Sequence, residues 1–151
     1  MYVANSDKPK LESAPLNASR VELQEGLSKA DFIVVSVSLN SDTIGLIGQK
    51  EFTAMKSDAV FVNVSRGTVV DESALVNALK HEEIFAAGLD VFEKEPEIHP
   101  ELLNMERAFL LPHLGSATLE DRLDLTKLAA ENAIAVLCGN SAPFQVAAEA
   151  I

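Results

Sequence analysis

The sequence predicts an α/β fold built on a parallel β-sheet. Short apolar, β-branched runs recur along the chain, and stretches of helical periodicity separate them. The runs are continuous rather than alternating, which is the pattern of strands in a parallel sheet covered on both faces. With 48% hydrophobic residues and a mean hydropathy of +0.14, there is ample material for a packed core, and a disordered chain is excluded.

Each element has its own local reason. Tyr2-Val3-Ala4 reads as the tail of a first strand. Residues 20–29 form a short helical stretch carrying Val21, Leu23 and Leu27. Phe32-Ile33-Val34-Val35-Ser36-Val37 is the second strand, and residues 48–55 a brief helix with Phe52 and Met55. Ala59-Val60-Phe61-Val62-Asn63-Val64 is the third strand. The helix at 71–79 opens on an N-capping Asp71 and places Ala74, Leu75, Ala78 and Leu79 on one face. Residues 85–91 and 108–111 are the fourth and fifth strands. The longest helix, 119–137, has Thr118 as its cap, Glu120 and Asp121 at the positive end of its dipole, and Gly139 as its stop. Leu125, Leu128, Ala129, Ala133, Val136 and Leu137 read as its buried side. Residues 1–139 thus form the expected domain, and 140–151 a C-terminal tail.

Charge narrows the function. Twelve basic residues stand against 23 acidic ones, a net of −11. That balance repels phosphate backbones and anionic lipid, so no nucleic-acid or membrane partner is expected. No apolar run approaches the ~18 residues of a membrane span, and the first ten residues carry no secretory apolar segment. Cys138 is the single cysteine, which excludes an internal disulfide and a multi-cysteine zinc site and fits a reducing, cytoplasmic setting. No metal site is expected. His81 and His99 read as solvated, and Cys138 as a small apolar filler.

Ligands of an open parallel sheet bind outside the carboxyl ends of its strands. Those ends carry Ser38, Arg66, Asp90, Glu95 and His113. Taken singly, each has an ordinary reading as a surface ion pair, a loop carboxylate or a satisfied histidine. Together, an arginine, a carboxylate and a histidine at one rim make a site that holds an anion and moves a proton.

Three ordered motifs sharpen this. They are Asn63-Val64-Ser65-Arg66-Gly67 followed by Val69-Val70-Asp71-Glu72, then Gly88-Leu89-Asp90-Val91-Phe92-Glu93-Lys94-Glu95-Pro96, then Leu111-Pro112-His113-Leu114-Gly115-Ser116-Ala117-Thr118. In this order and spacing the chain resembles the D-isomer-specific 2-hydroxyacid dehydrogenases over about residues 2–139, and among them the glyoxylate and hydroxypyruvate reductases. The resemblance implies a Rossmann-like, doubly wound parallel sheet and NAD- or NADP-dependent reduction of a small 2-keto acid to a D-2-hydroxy acid. It implies Arg66 as the substrate-binding arginine, Glu95 as the glutamate partner and His113 as the acid/base histidine. Asp90 matches the aspartate near the nicotinamide, and Ser38, Val64 and Gly115 fall where the family contacts the cofactor. A homodimer is implied as well.

The family's Gly-x-Gly-x-x-Gly loop has no counterpart, since the only glycine before Gly45 is Gly26. The expected sheet is therefore incomplete, lacking the first β-strand and the glycine-loop helix, and the chain alone is expected neither to bind dinucleotide in the family manner nor to turn over.

The chemistry requires these residue types. A guanidinium grips a carboxylate through two parallel hydrogen bonds, which a lysine cannot do. Histidine titrates near neutrality and is the natural donor to an oxygen that gains charge as hydride arrives. Cofactor choice turns on Asn5-Ser6-Asp7-Lys8, where an aspartate favours a free ribose hydroxyl and hence NAD, while Lys8 and Lys10 could meet a 2′-phosphate. A second reading belongs to another class: a catalytically inactive, dinucleotide-binding interaction module of the corepressor type. Turnover with a keto acid separates the two.

Overall fold

The computed structural model describes residues 1–145, which divide into two compact units, Met1–His113 and a second beginning at Leu114. The first unit is built on four parallel strands in the order β1 (Phe32–Val35), β2 (Val60–Asn63), β3 (Ala86–Leu89) and β4 (Ala108–Leu110). Its helices are α1 (Pro9–Glu12), α2 (Leu23–Lys29), α3 (Gln49–Thr53) and α4 (Glu72–Lys80), with 3-10 turns at Gly67–Val69 and Leu102–Asn104. The second unit carries α5 (Leu119–Leu137).

Register explains the core. Val35, Asn63, Leu89 and Leu110 align across the sheet, as do Ile33, Phe61, Ala87 and Ala108. Side chains alternate along a strand, so these two rows share one face. On that face Phe61 is fully buried and meets Phe52 of α3 edge-on, ring centroids 5.2 Å apart at 77°, a favoured aromatic geometry. Leu75, Val76, Ala78 and Leu79 of α4 complete this core.

The helix signals hold where side chains cap. Asp71 accepts from the N–H of Ala74 at 2.9 Å, and Thr118 from that of Asp121 at 3.1 Å. Gly139 adopts φ +78° just past α5, the left-handed stop that glycine takes without strain.

Five expectations need correction. Tyr2-Val3-Ala4 is not a sheet strand, because Tyr2 forms only an isolated parallel bridge with Arg20. The strands are not covered throughout: Phe32 is 74% exposed, Val34 61% and Phe109 69%, and Val34 and Phe109 belong to the row that faces away from the core. None of the residues of α5 is buried, so the stripe expected as its buried side does not form a core. Cys138 is exposed rather than a filler, and His99 is half-buried while His81 is solvated. An apolar pattern records only half of a contact, since burial also needs an opposing surface. Of the tail, Phe144 is tied to α5 through Asn132, whose amide accepts from its N–H at 2.9 Å and donates to its carbonyl at 3.1 Å. Residues 146–151 lie outside the described residues.

Candidate active site

The turn after β2 is fixed from within. Asn63 is buried, and its amide oxygen accepts from Ser65 N–H at 3.0 Å and Ser65 Oγ at 2.7 Å. The same amide donates through Nδ2 to the Arg66 carbonyl at 3.1 Å. One side chain thus closes three residues into a turn that projects the exposed Arg66 beyond the strand, with Arg66 Nη1 donating to the Ser65 carbonyl at 2.7 Å. Val64, half exposed, sits in the same turn, and its N–H donates to the Val35 carbonyl at 3.1 Å.

The turn after β1 joins this one. Thr43 Oγ1 donates to the Ser38 carbonyl at 2.8 Å, and Asn40 Oδ1 accepts from the N–H groups of Asp42 and Thr43. Gly45 N–H then reaches the Thr68 carbonyl at 2.9 Å, and Ile47 N–H that of Val69 at 3.1 Å. Ser38 and Arg66 therefore stand on loops stitched to one another by backbone bonds.

After β3 the chain passes through Asp90, buried, whose N–H donates to the Asn63 carbonyl at 3.1 Å. The following turn places Glu95 Oε1 2.9 Å from Phe92 N–H and Glu95 Oε2 2.8 Å from His113 Nδ1. An ionised carboxylate only accepts, so His113 Nδ1 carries the hydrogen and Nε2 is the nitrogen turned to other work. The His113 hydrogen bond, and after it the bond from Phe92 N–H, hold the Glu95 carboxyl below the usual carboxylate range; burial opposes them, and the charges of His113 and, last, Arg66 add to the lowering. His113 itself has φ +54°, in the left-handed region.

Within the first unit Glu95 thus meets His113 and feels the charge of Arg66, with Asp90, Val64 and Ser38 at neighbouring strand ends. Gly115 belongs to the second unit, in a turn closed by Ala117 N–H to the Leu114 carbonyl at 3.0 Å. Asp7 is exposed and paired with Arg20 Nη1 at 3.0 Å. Among the described residues, no cluster of three or more His, Cys, Asp or Glu could hold a metal, and no helix is long and apolar enough to cross a membrane. The sequence assigns no role to Asn63 or Glu72, whose side chains bond chiefly to backbone groups of the neighbouring turns.

Residues 1–115 match the model of the D-isomer specific 2-hydroxyacid dehydrogenase NAD binding domain. The chain belongs to this family. Among its curated dehydrogenase relatives are glyoxylate/hydroxypyruvate reductase B of Escherichia fergusonii, 45% identical over 93% of this chain and 43% of the relative, and glyoxylate reductase of Thermococcus gammatolerans, 41% identical over 100% and 45%. The chain therefore spans under half the length of these relatives. Among solved structures it resembles the NADPH-dependent glyoxylate/hydroxypyruvate reductase of Sinorhizobium meliloti in complex with NADP and malonate, with TM-score 0.89 and 31% identity over 99% of this chain and 45% of that one. The D-lactate dehydrogenase of Lactobacillus jensenii with NAD+ aligns with TM-score 0.85 and 27% identity over 96% and 47%. The α/β parallel architecture is thus that of the dehydrogenase NAD-binding domain.

Proposed function

We propose that this chain supplies the cofactor-binding domain and the catalytic residues of an NAD(P)-dependent reductase of small 2-keto acids such as glyoxylate or hydroxypyruvate. The observation that carries this reading is the 2.8 Å contact of Glu95 with His113 beside the Arg66 turn.

In this reading Arg66 binds the substrate carboxylate through its fork and draws charge from the adjacent carbonyl. When bound, a nicotinamide dinucleotide supplies the hydride. His113 Nε2 donates the proton that the carbonyl oxygen takes up as it becomes a hydroxyl, and takes it back in the oxidative direction. Glu95 holds the ring so that Nε2 faces the oxygen. The donor set suits the nicotinamide end of such a cofactor: Val64 is half exposed at a strand's carboxyl end, flanked by Ser38 and the buried Asp90. Gly115 is the further backbone contact we assign to the cofactor. No Gly-x-Gly-x-x-Gly occurs in the 151 residues to cradle the pyrophosphate. A homodimer and a cytoplasmic setting complete the proposal, the latter supported by the lone, exposed Cys138.

The test is keto-acid-dependent oxidation of NADH and NADPH, measured for this chain and for the polypeptide obtained by extending its reading frame upstream. Turnover of glyoxylate or hydroxypyruvate by the longer polypeptide supports the reading. A longer polypeptide that binds dinucleotide without any keto-acid turnover overturns it in favour of an interaction module.

A further inference from the structure

Glu72 stands at the first position of α4, where a glutamate normally lies in solvent and complements the helix dipole. Here it is 6% exposed. Its Oε1 accepts from the backbone N–H of Glu93 at 2.6 Å, across 21 residues of sequence. Glu93 is itself exposed, so only its backbone is held. One residue earlier, Phe92 N–H donates to Glu95 Oε1, and Glu95 Oε2 reaches His113. The same turn is gripped a second time. A Cβ at Gly67 would lie 1.8 Å from the Phe92 carbonyl carbon and 2.3 Å from Glu93 N, so only glycine admits this approach. Both grips come from the stretch just after Arg66. They lock the turn that carries the guanidinium to the turn that carries Glu95, the partner of His113.

We propose that Glu72 is a positioning residue of this site: its buried carboxylate fixes Glu93 N–H, and through the Phe92–Glu95 turn sets where Glu95 meets His113 and how that pair is placed relative to Arg66. Burial pushes the Glu72 carboxyl up, and the bond from Glu93 N–H opposes this. A buried carboxylate is costly, and its use here answers a need: the turn's N–H has no strand or helix partner. The catalytic consequence rests on the reading of Glu95 and His113 given above, whereas the positioning itself does not.

The experiment uses this 151-residue chain with three substitutions. Glu72→Gln keeps an oxygen acceptor in place, Glu72→Met removes it at similar volume, and Glu72→Asp keeps the charge but withdraws the oxygen by one methylene. Two readouts follow by NMR: hydrogen exchange of the Glu93 amide, and titration of the Glu95 carboxyl carbon. Expected are at least ~10-fold faster exchange at Glu93 for Met and Asp, a Glu95 carboxyl moved up toward its ordinary value in both, and near-native behaviour for Gln. Should Glu72→Met fail to fold, Glu72→Asp decides alone. Unchanged exchange and unchanged Glu95 titration in a folded Asp variant overturn the proposal and leave Glu72 a packing residue. In the upstream-extended polypeptide, Glu72→Asp should lower kcat with little change in cofactor KM. NMR shifts as expected with unaltered kcat would uphold the positioning and overturn instead the acid/base role of the pair.

Discussion

Glu95 Oε2 and His113 Nδ1 are 2.8 Å apart, although 18 residues separate them and neither lies in a strand or helix. The contact is made by two loop residues: Glu95, whose Oε1 also accepts from Phe92 N–H, and His113, whose backbone takes a left-handed φ of +54°. A carboxylate on Nδ1 leaves Nε2 as the only ring nitrogen able to serve a substrate.

His113→Gln in the upstream-extended polypeptide should lower kcat at least ~10²-fold with a modest change in cofactor affinity, because proton donation matters chiefly in the transition state. Steady-state kinetics with glyoxylate and hydroxypyruvate check this. Near-normal kcat would remove histidine from the acid/base role.

The pair also has a pH signature in this chain. Glu95 is held below the usual carboxylate range, so the unfolded state binds its proton more readily than the native state does. The resulting stability is present above the unfolded value and is lost as pH falls through the lowered native one. Glu95→Gln should therefore flatten the acid side of the stability curve as pH falls through and below the ordinary carboxylate range. Glu72 titrates with the opposite sign, since its carboxyl is raised, but it contributes equally to both proteins and cancels in the difference. Urea midpoints across that range are the measurement, and parallel curves would show that the pair adds no stability. The side chains are 42% and 36% exposed, so the effect is modest.

Gly67→Ala should be among the most damaging single substitutions. The new Cβ would meet backbone atoms of Phe92 and Glu93 at 1.8 to 2.3 Å, which no rotamer can relieve. Overpacking of this kind costs about 1–3 kcal/mol and can exceed it. Urea denaturation gives the loss, and a folded Gly67→Ala chain should show a Glu95 carboxyl released from His113. A stability within about 0.5 kcal/mol of the parent would mean that the two turns separate freely.

Much of the site was legible because its chemistry demands particular side chains in order. Arg66, Glu95 and His113 stand out in sequence as polar residues following strands, their roles come from the family resemblance, and the structure brings Glu95 against His113 and within reach of the Arg66 charge. Asn63 and Glu72 were not legible as site residues. Both act on backbone groups, and a backbone N–H or carbonyl has no signature in sequence: Asn63 reads as the end of a strand, Glu72 as a dipole partner on a helix. The strands at 32–37, 59–64, 85–91 and 108–111 were placed correctly and drawn too long, because apolar runs continue past the last ladder bond. Tyr2-Val3-Ala4 failed for a different reason. Its β character is real, but it bridges Arg20 alone, and strand identity depends on partners that propensity does not encode.

Asn63→Ala should loosen the Arg66 turn by removing three hydrogen bonds at once. Leaving Ser65 N–H without its acceptor in a buried setting costs about 1–3 kcal/mol. In the extended polypeptide the KM for a keto acid should rise more than that for the cofactor, since Arg66 is assigned to the substrate carboxylate. Equal changes in both would detach this turn from substrate binding.

Calorimetric titration of NADH and NADPH into this chain should show no saturable binding at micromolar concentrations. Ser38, Val64 and Asp90 present surface for the nicotinamide end, yet the pyrophosphate needs backbone N–H groups at a glycine loop and a helix N-terminus, and the sequence holds no Gly-x-Gly-x-x-Gly. The edge of the sheet bears the same mark. A cleft of about 440 Å³ is lined by Met1, Tyr2 and Val3 together with β1, and β1 has a ladder partner, β2, on one side only. An open parallel edge of this kind accepts a further strand. The polypeptide extended upstream in the same reading frame should bind both the strand position and the dinucleotide, the two appearing together: protection of β1 amides from hydrogen exchange, and a measurable binding heat. Micromolar binding by the 151-residue chain itself would mean that Ser38, Val64 and Asp90 hold the cofactor without a phosphate cradle. A longer polypeptide that gains neither protection nor binding would dissociate the open edge from the cofactor site.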